Sequence, residues 1–175
     1  MSFFEPTSSA IHFSAGTTAD ITVPNSTLVT VTFGNIIANT SVNSTAVLIG
    51  TTSGTIFTAP VNGIYFFTFN AAIRQSLAVD NTGIARFGFK YGGTTAAYTN
   101  SSLTRIGNQF IGHNNTNGNT KEFTTRHSIT VKLLAGEPCS VAFSTDTIDT
   151  SDMVLEFNFA TVKPIFAGYL VAQVP

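Results

Sequence analysis

The sequence predicts an all-β protein, built as an antiparallel sandwich or jelly roll. Composition is the first reason, because 16 Phe and many Thr favour strands, while the good helix formers Glu, Lys, Arg and Met are few. Periodicity is the second reason, since several short segments alternate apolar and polar residues and none has the 3.6-residue period of a helix. Turns rich in Gly, Asn and Pro between these segments are the third.

Length and charge limit the class of protein. The 175 residues correspond to one domain, which we place at 1–175 with its core at about 9–173. Charged residues make up only 10% of the chain and the net charge is -1, so no basic cluster is available to neutralise nucleic-acid phosphates. No apolar run approaches the roughly 18 residues needed to cross a bilayer. We therefore expect neither a nucleic-acid partner nor membrane insertion.

Four segments alternate with the two-residue period of strands that are buried on one face. In segment 85–91 three aromatic residues share one face, and Gly92 and Gly93 follow as a hairpin turn. A Gly-Glu-Pro turn joins the last two segments. The four segments are 28–33, 85–91, 128–134 and 138–144.

Two further segments carry large apolar groups in both phases of a strand. Residues 64–69 have the sequence IYFFTF, and residues 165–171 have the sequence IFAGYLV. A strand that is open to water on one face does not tolerate this pattern. One face of each strand packs into the core of the sandwich. Because the chain is too short for a third layer, we expect a neighbouring subunit to cover the other face.

Polar segments between the strands predict loops at 39–45, 100–102 and 112–120. The last one, GHNNTNGNT, is rich in amide groups that suit hydrogen bonding to sugars or to a protein surface. A solvated loop without a ligand is the alternative. The candidate ligand-binding residues are His113, Asn114, Asn115 and Asn117.

Five segments, in order along the chain, resemble characteristic stretches of the complement C1q-like domain of the C1q/TNF-like superfamily. The most specific is FTAPVNGIYFFTFNAA at 57–72, in which a Phe-Thr-Ala-Pro turn leads through a Gly into a strand rich in Tyr and Phe. Their combination over nearly the whole chain makes the resemblance specific. The other four are IHFSA at 11–15, VTFGNIIAN at 31–39, LLAGEPCSVAF at 133–143 and FAGYLV at 166–171.

The resemblance implies a ten-stranded antiparallel jelly-roll sandwich of the TNF-like class, assembled as a homotrimer that binds ligands and performs no chemistry. By position it implies a subunit interface near the three-fold axis that contains Tyr65, Phe67, Phe166 and Tyr169. The alternative for each of these residues is the core of its own chain. An extracellular or surface-exposed location, on a secreted protein, spore or virion, is also implied, although residues 1–9 show no secretory signal pattern.

The sequence lacks the motifs of common catalytic sites. It has no Gly-x-Ser-x-Gly elbow, no His-Glu-x-x-His and no Gly-rich phosphate loop, so we expect no enzyme. His12, His113 and His127 lie far apart and predict ordinary surface or strand-end histidines. In a trimer, one of them near the axis would offer a three-histidine metal site. The single cysteine, Cys139, is expected to face the core as an inert thiol.

The only acidic cluster is Asp146, Asp149 and Asp152, in the segment STDTIDTSD. Carboxylates among hydroxyl groups on a loop are the hard oxygen ligands that calcium takes, although the spacing is not that of an EF-hand. A solvated acidic loop that keeps a sheet edge from pairing is the alternative. Calcium is therefore the one cofactor that the sequence leaves open.

Together these observations favour a non-enzymatic, homotrimeric recognition module. Its loops would engage a glycan or protein surface multivalently, because three equal sites raise their effective concentration. The alternative is a structural trimeric knob of a viral, phage, spore or cell-surface appendage. A cytokine-like signalling ligand is the third candidate function, and a hydrolase on this fold is the last.

Overall fold

The computed structural model describes residues 11–23, 28–40, 48–51, 54–75, 83–93, 109–111, 121–147, 153–156 and 164–175. Within these ranges the chain forms thirteen strands and no helix. Every ladder between them is antiparallel. The strands are β1 (His12–Gly16), β2 (Ile21–Val23), β3 (Leu28–Thr30), β4 (Asn35–Thr40), β5 (Leu48–Thr51), β6 (Gly54–Thr58), β7 (Gly63–Gln75), β8 (Gly83–Tyr91), β9 (Gln109–Ile111), β10 (Lys121–Leu133), β11 (Pro138–Thr147), β12 (Met153–Glu156) and β13 (Ile165–Gln173).

The strands belong to two sheets. Sheet A has the order β2-β12-β7-β13-β1-β4, and β10 pairs with β7 as its seventh strand. Sheet B has the order β5-β6-β11-β8-β9, and β3 also pairs with β11. The ladder between β7 and β10 runs over all thirteen residues of both strands, from Gly63 opposite Leu133 to Gln75 opposite Lys121. These two strands therefore form the longest continuous part of sheet A among the described residues.

The described residues contain thirteen strands instead of the expected ten, in part because one edge of β7 and one edge of β11 are each shared by two strands. In sheet A, β12 pairs with residues 72–75 of β7, and β13 pairs with residues 63–70 of the same strand. In sheet B, β6 and β3 pair with successive parts of β11. Two short strands placed end to end thus occupy the edge that one long strand would fill.

Aromatic side chains form the core between the two sheets. Phe13 of sheet A stacks on Phe57 of sheet B with ring centroids 5.0 Å apart. Phe69 stacks on Phe87 at 5.6 Å, again across the two sheets. Each buried Phe contributes about 1.5–3 kcal/mol through the apolar area that it removes from water. The antiparallel sandwich predicted from the alternating segments is therefore confirmed, with a largely aromatic core.

The predicted strand at 28–33 ends as a strand at Thr30. Beyond it, the hydroxyl of Thr55 accepts a hydrogen bond from the Phe33 N–H at 2.8 Å and donates one to the Phe33 carbonyl at 3.2 Å. Phe33 remains buried in the core, as the alternation predicts. A side chain, instead of a neighbouring strand, therefore satisfies the backbone of Phe33.

The turn between β10 and β11 is a corner that carries the chain from sheet A to sheet B. The Glu137 carboxylate accepts a hydrogen bond from the Leu134 N–H at 2.8 Å. The Asn62 side-chain oxygen accepts one from the Ala135 N–H, also at 2.8 Å. Gly136 has a φ of 87°, a conformation that glycine adopts without steric cost. These bonds fix one end of the sandwich, which we call the corner end.

Candidate functional site

The two doubly apolar segments form neighbouring strands, β7 and β13, in the middle of sheet A. Tyr65, Phe67 and Phe166 point to the core and are fully buried within the single chain. These three side chains therefore take the alternative that the sequence left open, the core of their own chain, and a neighbouring subunit could not reach them. Of the four predicted interface residues only Tyr169 is exposed, at 49%.

The opposite side of these strands is the outer face of sheet A. Phe66 lies opposite Tyr169 in the ladder, and their rings are in contact with centroids 5.2 Å apart. Tyr169 in turn lies opposite His12, which is also exposed. On the other side of Phe66, the same row continues to Thr130 of β10. This row of four outward residues crosses the sheet from β10 to β1.

The outward residues of β1 and β13, and those of β7 up to Asn70, carry no charge, whereas Arg74, in the same phase of β7, lies opposite Glu122 of β10 in the ladder. The nearest cations are Arg126 and Lys132, both exposed on β10 at the side of the face. Val171 sits at a bulge in β13 and is 54% exposed. Up to Asn70 of β7, the outward residues of these three strands include His12, Ser14, Gly16, Ile64, Phe66, Thr68, Asn70, Ile165, Ala167, Tyr169 and Val171.

Strand β4 extends the same face. Ile37 is 61% exposed, and its Cδ1 lies 4.0 Å from the position that a Cβ on Gly16 would take. Ile36, its neighbour, is 44% exposed but lies opposite the inward Ala15 in the ladder, so it is not counted in this face. Five strands about 4.8 Å apart and four rows of outward residues about 7 Å apart give a flat area of roughly 650 Å². Stable interfaces bury about 800 Å² of accessible surface on each partner, so the outer face is of the right size for one.

The end of the sandwich opposite the corner end, which we call the loop end, is defined by strand termini in both sheets. In sheet A, Gln75 lies opposite Lys121 on one side and Met153 on the other. In sheet B, Thr147 lies opposite Gly83. The chain segments attached to these strand ends therefore all connect to the same end of the sandwich.

Two predicted binding segments are connected to the loop end. Segment 112–120, with the ligand-binding candidates His113, Asn114, Asn115 and Asn117, precedes β10, and segment 148–152, with Asp149 and Asp152, follows β11. Both segments lie outside the described residues. Asp146 belongs to β11, one residue before its end. The ligand-binding and calcium assignments at these residues stay predictions.

Three buried groups have shifted pKa values. Burial raises the pKa of the Cys139 thiol well above 9.0, and the residue packs in the core as expected. Burial also raises the pKa of Tyr65, against the lowering effect of its hydrogen bond to the Val61 carbonyl at 2.8 Å. Lys90 is buried opposite Ser140, and the loss of solvent lowers its pKa below 10.5. At neutral pH the thiol and the phenol are protonated and neutral.

Within the described ranges, no three His, Cys, Asp or Glu side chains gather in a group that would hold a metal ion. His12 lies on the outer face, whereas His127 stacks on Phe89 at 5.6 Å beside the core.

No helix of the described residues is long and apolar enough to span a membrane.

The sequence contains a signal for the outward face of β7. Thr68 and Asn70 are in phase with Phe66, and polar residues at these positions indicate the side that points away from the core. In β1, the polar residue His12 likewise marks the side that points away from the core, because it alternates with the buried Phe13. The outward phase therefore includes Phe66, which the sequence analysis did not single out.

No protein-family model matches the sequence, and no curated protein matches it. Solved structures do resemble the fold. The globular domain of zebrafish complement 1qA protein aligns at a TM-score of 0.53 and 13% identity, over 93% of this chain and 98% of that one. Eiger TNF from S. frugiperda aligns at a TM-score of 0.57 and 13% identity, over 95% of this chain and 94% of that one. With two antiparallel sheets packed around an aromatic core, the chain thus has the C1q/TNF-like jelly-roll fold.

Proposed function

We propose that this chain is a non-enzymatic, homotrimeric recognition module whose loop end engages a glycan or protein surface outside the cell. The observation that carries the proposal is the outer face of sheet A, which presents the Phe66 and Tyr169 pair among uncharged residues at its centre. A face of this kind on a single chain favours a permanent neighbour.

A second and third copy of the chain are the occupants that fit the outer face. Its area of roughly 650 Å² is close to the area per partner of a stable interface. Its centre, around Phe66 and Tyr169, has no charged residue and carries aromatic rings; charges are depleted and aromatic residues are enriched at the centres of interfaces. Arg126 and Lys132 lie at the side, where the polar rim of an interface is expected.

The loop end is the proposed ligand-binding end. Segments 112–120 and 148–152 start from strands that terminate there, and their Asn, His and Asp residues offer hydrogen-bonding groups. In a trimer about an axis along the sandwich, three copies of this end would face the same direction. Linked weak sites then bind a surface with much greater avidity than a single site.

A binding experiment tests the recognition function. Fluorescently labelled protein is applied to a glycan array and to intact cells, beside a variant in which 112–120 is replaced by Gly and Ser of equal length. Leu134→Ser at the corner end is the matched control. We expect saturable binding by the wild type and the control, and none by the loop variant, while all three have the same solution mass. Equal binding by the loop variant would contradict the assignment of this segment.

A structural trimeric knob is the alternative function. It requires the same subunit interface, and it predicts a thermally stable trimer that binds no glycan or cell surface. The array and the solution mass together therefore separate the two functions.

Calcium at Asp146, Asp149 and Asp152 is a further proposal, based on the chemistry of three carboxylates near one strand end. Isothermal titration with CaCl₂ measures binding directly. The variant with all three residues changed to Asn should bind no calcium. Equal heats from wild type and variant would contradict the site.

A further inference from the structure

We propose that the subunits pack edge to face, so that strand β4 at the edge of sheet A in one copy lies on the outer face of the next copy, around Phe66 and Tyr169. The inference rests on the homotrimer proposed above and names the surface that meets the outer face. A three-fold contact joins two different patches of the chain, whereas a patch that meets itself gives a two-fold dimer. A trimer therefore requires a second patch besides the centre of the outer face.

Charged residues are distributed unevenly along the chain. They make up 10% of the sequence, yet none occurs between Asp20 and Arg74, a span of 53 residues that includes all of β4, β5 and β6. Among the described strands, β4 pairs only with β1 at one end of sheet A, and β5 pairs only with β6 at one end of sheet B. Because Phe33, just before β4, is bonded to Thr55 of β6, these strands lie on the same side of the sandwich. We call this side the uncharged edge.

The uncharged edge exposes apolar side chains at β4. Ile37 is 61% exposed and Ile36 is 44% exposed. The two residues are adjacent in the strand, so the edge is apolar on both of its sides. Gly34 and Asn35, which precede them, are exposed as well. Edge strands that face water are usually protected by charged residues or proline, and the described part of β4 has neither. These features favour a strand that a second copy covers.

The opposite edge of sheet A is β10, which pairs only with β7 among the described strands. Arg126 and Lys132 are exposed on its outward side, and both are positive. The outward residues of β1 and β13, and those of β7 up to Asn70, include no carboxylate that would pair with them across an interface. Burial of a charge without a partner is unfavourable, so β10 belongs at the rim. Of the two edges of sheet A, β4 is the one that fits the centre of the face.

Disulfide cross-linking of the full chain tests the inference. One variant combines Ile37→Cys with Thr68→Cys, because Thr68 is in phase with Phe66 on the outer face. The matched variant combines Lys132→Cys with Thr68→Cys. At about 4.8 Å per strand and about 3.3 Å per residue, both pairs are about 14 Å apart within one chain, too far for an internal disulfide. The native Cys139 is fully buried and takes no part.

The two variants should behave differently when protein that sediments as a trimer is oxidised. We expect two-chain and three-chain species on a non-reducing gel for the variant with cysteines at 37 and 68, and single chains for the variant with cysteines at 132 and 68. Ile37→Arg provides a second measurement. It places a charge at the uncharged edge and should give a folded single chain by sedimentation velocity, with an unchanged far-UV circular dichroism spectrum.

The outcomes separate this inference from the proposed assembly. A wild type that sediments as a single chain would overturn both. A trimer that is cross-linked through position 132, or through neither pair, would overturn the assignment of β4 alone. An Ile37→Arg variant that remains a trimer would also overturn it, because β4 would then lie outside the interface.

Discussion

Phe66 and Tyr169 face each other on the outer face of sheet A, with ring centroids 5.2 Å apart. The residues on either side of Phe66 in the chain, Tyr65 and Phe67, are fully buried on the other face. Strand β7 therefore carries aromatic groups in both directions, and only the inward ones have a partner layer within the described chain. This relationship is the structural basis of the proposed subunit interface.

Arginine at position 169 should prevent assembly. Tyr169→Arg places a charge at the centre of the outer face, where burial in an interface would remove its solvent. The same change at Leu134, which is 51% exposed on the turn at the corner end, is the matched control. We expect a folded single chain for Tyr169→Arg and an intact trimer for Leu134→Arg, as measured by light scattering after gel filtration. Equal masses for the two variants would contradict an interface at Tyr169.

Alanine substitutions at two neighbouring phenylalanines of β7 should have different effects, one on the stability of the single chain and the other on assembly. Phe67→Ala removes a buried ring and should reduce the free energy of unfolding by about 3–5 kcal/mol. Phe66→Ala removes an outward ring and should weaken the trimer while it reduces the stability of the single chain by about 1 kcal/mol or less. Urea unfolding at low protein concentration gives the first quantity, and solution mass gives the second. A larger loss of stability in Phe66→Ala would place that ring in the core.

Position 168 requires glycine, because its neighbours leave no room for a side chain. A Cβ there would lie 2.5 Å from Phe67 Cδ1 and 2.9 Å from the Phe66 carbonyl oxygen. Gly168→Ala should therefore cost at least about 2–3 kcal/mol. Gly93→Ala, in a turn with φ of 75° and no atom within 4 Å of the new Cβ, should cost only about 1 kcal/mol. Thermal unfolding of both variants checks the order, and the reverse order would contradict the packing of β13 on β7.

Alkaline pH should destabilise the protein through Cys139. Burial raises the pKa of this thiol well above 9.0, so the folded chain keeps a proton that the unfolded chain loses. The free energy of unfolding then falls as pH rises above about 9, by up to about 1.4 kcal/mol per pH unit. In Cys139→Ala this contribution is absent.

Urea unfolding of wild type and Cys139→Ala from pH 8 to 10 measures the effect. Tyr65, with its raised pKa, and Lys90, with its lowered pKa, act in both proteins and cancel in the comparison. We expect the two stability curves to converge or cross with rising pH. Parallel curves would show that the thiol is not desolvated in the folded chain.

The fold was predictable because most strands alternate cleanly. Segment 85–91 places three aromatic residues on one face, and the structure buries Phe87 and Phe89 and packs Tyr91 against the core. The five segments that resemble the C1q-like domain predicted the jelly-roll topology, which composition and periodicity do not determine. The strand count was less predictable, because end-to-end strands such as β12 and β13 depend on tertiary pairing with β7.

The pairing of β7 with β13 was predictable from the sequence, but which of their residues point away from the core was not. Between Ile64 and Phe67 every residue is large and apolar, so the alternation that reveals the inward side is missing. Only Thr68 and Asn70, further along the strand, indicate the phase. The end of the strand predicted at 28–33 was obscured for a different reason, since the hydroxyl of Thr55 replaces a strand partner there.

The most direct test of the proposed assembly is the solution mass of the unmodified chain, by sedimentation equilibrium at pH 7.5. Three times the chain mass of 18.5 kDa is the result that the account predicts. A mass of 18.5 kDa that persists at the highest concentration measured would contradict it, because the outer face around Phe66 and Tyr169 would then be open to water.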